Sequence, residues 1–205
     1  ATTIGVVANV GTARPGSRAI LGFISYGYAQ MLLRLDRIEE FLLFLYSHRY
    51  HDHTRGSWTA GEVAGINGGT ATFCIPAQQT IPLLVRWMLV LEDSDKDVLY
   101  LGKGIPHNWL TSGQEIKIEQ APTRWGKVNF SLVAKPESKS VVARVELSRP
   151  GEPRELQVKL RLPRESQIQN LTVNGRAVSL GGQHNDTVVF QTEKNKTFEI
   201  VGRLS

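Results

Sequence analysis

From residue 97 onward, apolar and polar residues alternate along short runs that are separated by turn residues. A period of two is typical of strands that have one face in a core. The runs that we predict to be strands are 98–101, 115–119, 128–134, 141–147, 155–162, 167–173, 177–180, 187–191 and 197–201. Asn174-Gly175 after the sixth run predicts a hairpin turn. Short strands at this spacing predict an antiparallel β-sandwich.

The first part of the chain has instead the three- and four-residue apolar spacing of amphipathic helices. Residues 19–35 predict one helix. Asp36, with Glu39 at the capping-box position, predicts the start of a second helix that ends near His48. Pro76 predicts the start of a third helix, since proline is tolerated in the first turn.

The change of pattern near residue 95 divides the chain. We expect residues 1–95 to form a helical segment and residues 96–205 to form the sandwich, an α+β organisation. The apolar faces of the helices are wider than one neighbour can cover, so we expect further helices upstream in the same polypeptide.

The segment between the second and third helices is rich in side chains that transfer protons or orient anions. The candidate residues are Tyr50, His51, Asp52, His53, Arg55, Trp58 and Glu62. A segment this long without predicted structure is usually either functional or disordered. We therefore place the candidate site in this segment.

Glycoside hydrolysis needs two carboxylates, and sugar rings are often held against an aromatic side chain. Glu62 supplies one carboxylate, and Trp58 supplies the aromatic surface. The second carboxylate would be Asp52 or would come from upstream. The non-catalytic alternative is that Glu62 caps a short helix and that Trp58 packs in the core.

Two other chemistries fit parts of the same segment. In β-elimination, His51 or Tyr50 would remove the proton next to a uronate carboxylate, and Arg55 would neutralise that carboxylate. A metal site would use His51 and His53, which share one side of an extended segment, but no metal-binding spacing supports it. We expect no metal and no cofactor, with His53, Arg55, Trp58 and Tyr50 binding substrate and Glu62, His51 and Asp52 acting as catalytic groups.

Charge and composition limit the classes of partner that the sequence predicts. The formal charge of +5 is spread along the chain without a basic block, which argues against a nucleic-acid ligand. The apolar run 41–46 is too short to span a membrane. Four sequons favour a secreted glycoprotein. Their asparagines are Asn129, Asn170, Asn185 and Asn195.

Three motifs in residues 97–126 carry a resemblance to known enzymes. They are Leu-Tyr-Leu-Gly at 99–102, Pro-His-Asn-Trp-Leu at 106–110 and Ala-Pro-Thr-Arg-Trp-Gly at 121–126. The stretch resembles the junction between an α/α toroid and a C-terminal sandwich in carbohydrate-active enzymes. It is similar to α-L-rhamnosidase-like glycosidases and to related polysaccharide lyases that act on rhamnose–glucuronate linkages.

The resemblance implies that residues 1–95 are the last helices of an α/α toroid. It also implies that the chain is the C-terminal portion of a secreted polysaccharide-degrading enzyme, whose general acid lies in the missing N-terminal portion. Glu62, near Trp58, is the position that matches the general base of these glycosidases, although the family motif has the Trp and Glu adjacent. The alternatives are a uronate lyase and a non-catalytic carbohydrate-binding module.

Overall fold

The computed structural model describes residues 20–23, 26–51, 53, 56–57, 59–64, 73–93, 95–111, 113–162, 166–182 and 185–205. The chain divides into two compact units, Ala1–Trp87 and Met88–Ser205. None of the described helices combines the length and the apolar character needed to cross a membrane.

The first unit contains two helices, a two-stranded sheet and most of a third helix, which ends just beyond Trp87. The bounds are β1 Ile20–Leu21, α1 Tyr26–Arg34, α2 Ile38–His51, β2 Val63–Ala64 and α3 Ile75–Leu89. Strands β1 and β2 pair antiparallel. The ring of Tyr28 on α1 meets the ring of Phe44 on α2 edge-on, at 5.3 Å between centroids. Apolar spacing on each helix therefore produces a packed helix pair.

The link between α1 and α2 shows why their boundaries differ from the prediction. Asp36 has a φ of 59°. Its N–H donates to the carbonyl of Leu33, and the N–H of Arg37 donates to that of Leu32. This is the Schellman pattern, which ends a helix at a residue in the left-handed region. Asp36 thus terminates α1.

The second unit is built from two larger sheets. The strands are β3 Val90–Glu92, β4 Val98–Leu101, β5 Ile116–Thr123, β6 Gly126–Lys135, β7 Ser140–Leu147, β8 Glu155–Lys159, β9 Ile168–Val173, β10 Arg176–Ala177, β11 Leu180–Gly181, β12 Thr187–Gln191 and β13 Thr197–Leu204. One sheet has the order β10-β9-β13-β7-β6-β5, and the other has the order β11-β12-β8-β4-β3. Short 3₁₀ turns lie at His107–Leu110 and Pro136–Ser138.

Alternation decides which face of each sheet is buried. On β6, Val128, Phe130 and Leu132 are buried, while the residues between them are partly exposed. The rings of Phe190 on β12 and Phe198 on β13 lie 5.1 Å apart, so the two sheets contact each other through their apolar faces. This is the packing of a β-sandwich.

The predicted fold class is wrong. In the part of the chain that the structure describes there are three short α-helices, and the two larger sheets hold five and six strands, so the fold is mostly β. No helical hairpin of an α/α toroid is present among these residues. One reason is local: Ile20 and Leu21, expected to open the first helix, pair with β2 instead. The sandwich is also not purely antiparallel, since β4 and β8 pair parallel.

Gly102, directly after β4, is held in a conformation and a space that exclude a side chain. Its φ is +67°, and a Cβ would lie 3.0 Å from the carbonyl oxygen of Lys159 and 3.2 Å from the ring of Phe130. We expect Gly102→Ala to lower the free energy of unfolding by about 2–3 kcal/mol, from backbone strain and overpacking together.

Gly175 provides the matched control for this prediction. It also has a positive φ, +78°, but a Cβ there would meet nothing within 4 Å. Gly175→Ala should therefore lose only the conformational part, about 1 kcal/mol. Urea denaturation of both variants measures the difference, and equal losses would show that the crowding at Gly102 has no energetic effect.

Candidate functional site

The C-terminal end of α2 carries the first candidate residues. The helix continues to His51 rather than ending near His48. Ser47 and His48 are buried on the side that holds Phe41, Phe44 and Leu45. The helical period places Tyr50 on the exposed face with Tyr46, and His51, in the last position of the helix, is exposed although it follows one turn after Ser47 and His48.

His48 and His53 point into the protein. His48 is fully buried, and its ring meets that of Phe44 edge-on at 4.6 Å between centroids. His53 is 5% exposed, and its Nδ1 lies 3.4 Å from the carbonyl oxygen of His48. His51 is exposed, so the two histidines of the metal alternative do not share an open side. Among the described residues, no group of three or more His, Cys, Asp or Glu could hold a metal ion.

An open pocket lies at this end of α2. Its volume is about 580 Å³, and its described lining consists of Tyr46, Ser47, Arg49, Tyr50 and His51. Tyr46 and Tyr50 are 47% and 66% exposed. The rings of Tyr50 and His51 are nearly perpendicular, with centroids 4.9 Å apart. The pocket therefore combines exposed aromatic rings with an imidazole and a guanidinium.

Part of this pocket was not predicted, since Tyr46 and Arg49 are not among the candidate residues. Positions 46, 49 and 50 have the i, i+3, i+4 spacing that places side chains on one helical face. This spacing is visible in the sequence, but it indicates a shared helical face only when the helix is known to extend to His51.

Glu62 lies directly before β2, and its side chain is exposed. Its backbone is fixed, because its carbonyl oxygen accepts a hydrogen bond from the N–H of Gly22 at 3.0 Å. The exposed side chain leaves its carboxylate accessible to solvent. Asp52, Arg55 and Trp58 lie outside the described residues, and their assigned roles stay predictions.

The motifs at 106–110 and 121–126 are held by contacts within the second unit. His107 uses its Nδ1 in a hydrogen bond with the carbonyl oxygen of Leu162. The guanidinium of Arg124 lies 4.2 Å from the ring centre of Trp125, and its backbone N–H donates to a carboxylate oxygen of Glu92 at 3.0 Å. These side chains stabilise the turns on which they lie.

Comparisons with known proteins add a structural neighbour. No family model and no curated protein matches the chain. A solved structure named "Glycoside hydrolase" matches with 13% identity and a TM-score of 0.41, over 85% of this chain and 30% of that one. The chain thus spans less than a third of the length of that structure. At this similarity, a function has to be argued from the side chains themselves.

Proposed function

We propose that this chain is the C-terminal portion of a secreted enzyme that degrades polysaccharides, and that the pocket at the end of α2 forms part of its substrate site. The observation that supports the proposal is the lining of the pocket: Tyr46 and Tyr50 present exposed rings beside Arg49 and His51. A sugar unit has an apolar C–H face and a hydroxyl-bearing edge. Aromatic rings suit the first, and polar side chains suit the second.

The proposed reaction is hydrolysis of a glycosidic bond of the α-L-rhamnoside type. Glu62 acts as the acid/base carboxylate, since its side chain is exposed at a fixed point of the backbone. A second carboxylate completes the pair that hydrolysis requires, from Asp52 or from the upstream part of the enzyme.

Elimination is the second candidate, and the contact between Tyr50 and His51 favours it. Arg49 lines the same pocket and would neutralise the carboxylate of a uronate. One of the two neighbouring rings would take the proton next to that carboxylate. The glycosidic C–O bond would then break to leave an unsaturated sugar, with a proton returned to the leaving oxygen.

The test is the activity of the full-length gene product on rhamnose-capped acidic polysaccharides, with two products followed in parallel. Reducing ends without an ultraviolet-absorbing product support hydrolysis. Reducing ends accompanied by that absorbance support elimination. If neither product forms, the proposal that this polypeptide degrades these substrates is wrong.

A further inference from the structure

The outer face of the six-stranded sheet carries a second open groove, remote in sequence from the candidate site. It has a volume of about 330 Å³. Its polar lining includes Lys117, Asn129, Arg144, Glu146, Asn174 and Glu199, and we call this surface the outer groove. Their positions on the strands alternate with those of buried core residues, so the face that they form is the one turned away from the apolar core.

Strand register brings these polar side chains together in rows. Asn129 on β6 pairs with Glu146 on β7, and Arg144 on β7 pairs with Glu199 on β13. Directly opposed residues of an antiparallel pair have their side chains on the same face, about 4.5–5.5 Å apart. The outer groove is therefore a small array of planar amide, carboxylate and guanidinium groups.

Hydrogen bonds hold the array in place. Asn129 donates through Nδ2 to Glu146 at 2.9 Å, and its Oδ1 accepts from the backbone N–H of Gln120 at 2.7 Å. Arg144 donates through Nη2 to Glu199 at 3.1 Å. Asn174 accepts through Oδ1 from the backbone N–H of Glu199 at 2.8 Å. A polar surface that is already ordered loses less conformational entropy when a ligand binds.

The polar groups of the outer groove retain capacity for a ligand. A carboxylate has about four acceptor positions; Asn129 uses one on Glu146, and Arg144 uses two on Glu199 through Nε and Nη2. The side chains of Arg144 and Glu199 are 69% and 53% exposed, so a ligand in solution can reach them. Donors and acceptors therefore lie side by side within reach of solvent.

Charge selects the chemical class of the ligand. Lys117 and Arg144 bring two positive charges, and Glu146 and Glu199 bring two negative charges. The contact of Lys117 with Glu119, at 2.7 Å, raises the pKa of Lys117, so this lysine stays protonated. An anionic ligand would meet two carboxylates, and a cationic ligand would meet two cations. Neither pair of charges repels a neutral ligand, and each hydroxyl group of such a ligand can both donate and accept a hydrogen bond.

We propose that the outer groove is a binding site for a neutral oligosaccharide. Its volume lies at the lower end of the range of about 300–1,000 Å³ found for ligand sites, which suits one or two sugar units. The aliphatic stems of Lys117 and Arg144 offer apolar surface to the ring. This binding does not depend on the proposed catalytic function, since it involves no residue of the α2 pocket.

The test uses the full-length gene product, made in a bacterial host that adds no N-linked glycan at Asn129. The probes are cellotetraose, xylotetraose and mannotetraose as neutral ligands, with tetragalacturonate as the charged counterpart. Isothermal titration measures each affinity. We expect at least one neutral tetramer to bind and tetragalacturonate to bind more weakly than it does.

Arg144→Ala is expected to weaken binding of the neutral tetramer about tenfold, since it removes a charged hydrogen-bond donor. Arg203→Ala is the matched control, because Arg203 is exposed on β13, the strand that also carries Glu199, but lies outside the groove. It should leave the affinity unchanged. Thermal melting establishes that both variants are folded.

Absence of binding by all three neutral tetramers, tighter binding of tetragalacturonate, or equal effects of the two arginine variants would overturn the proposal. The variant His51→Ala distinguishes failure of this binding proposal from failure of the proposed enzymatic function. Binding in the outer groove should persist in this variant whether or not the enzymatic activity is changed.

Discussion

Under the proposed hydrolysis, Glu62→Gln in the full-length protein is expected to lower kcat by about 10²–10⁴-fold, the contribution of a positioned acid/base group. Glutamine keeps the size of the side chain and its exposed position before β2, but it can neither take up nor release the proton. KM should change little, because the pocket at the end of α2 is untouched. The measurement is the initial rate of reducing-end release.

Glu39→Gln is the control for this variant, since Glu39 is an exposed glutamate on α2 at the end opposite to the pocket. Its activity should equal that of the parent enzyme. If Glu62→Gln retains full activity while His51→Ala loses the unsaturated product, elimination replaces hydrolysis. If both variants keep full activity, neither side chain takes part in the chemistry.

Asp186→Asn is expected to lower the free energy of unfolding by about 1.5–3 kcal/mol, because it removes a charged hydrogen-bond partner of a buried lysine. The side chain of Lys159 is 3% exposed on β8, and its Nζ lies 3.0 Å from a carboxylate oxygen of Asp186, which is 22% exposed. Strand β8 lies between β12 and β4. With 3% of its side chain exposed, Lys159 holds its ammonium largely out of water.

The double variant Lys159→Met/Asp186→Asn tests the explanation. Removing both charges at once should restore most of the lost stability, since a buried ion pair is often replaceable by apolar groups. Urea denaturation of the parent, the two single variants and the double variant gives the coupling energy. Additive losses would mean that the two charges do not stabilise each other.

The strands of the second unit could be predicted because their alternation is local information. The expected run 187–191 is β12, and the hairpin at Asn174-Gly175 is confirmed, with φ values of 48° and 78°. Strand β3 was missed, since Val90 and Leu91 continue the apolar run of α3 and have no turn residue before them. Strand pairing and register, which create the outer groove, cannot be predicted from the sequence of any one strand.

The error about the toroid has a different origin. All three motifs that carry the resemblance lie within residues 97–126, in the second unit, so they held no physical information about α1 and α2. In the candidate site, residue types could be selected from the sequence, but their directions could not. Whether His53 faces inward depends on where α2 ends and on the bridge between His53 and Ala60, neither of which is set by composition.

The parallel pairing of β4 with β8 has a consequence for folding. Between these neighbours the chain leaves for the other sheet and builds β5, β6 and β7 before it returns. It then crosses between the sheets three more times, to reach β9, β11 and β13. Contacts between residues far apart in sequence form slowly, so this unit should refold slowly and as a single cooperative event. A chain that stopped after β8 would lack β12 from one sheet and β13 from the other, so β8 and β7, which are inner strands of the complete fold, would become edge strands.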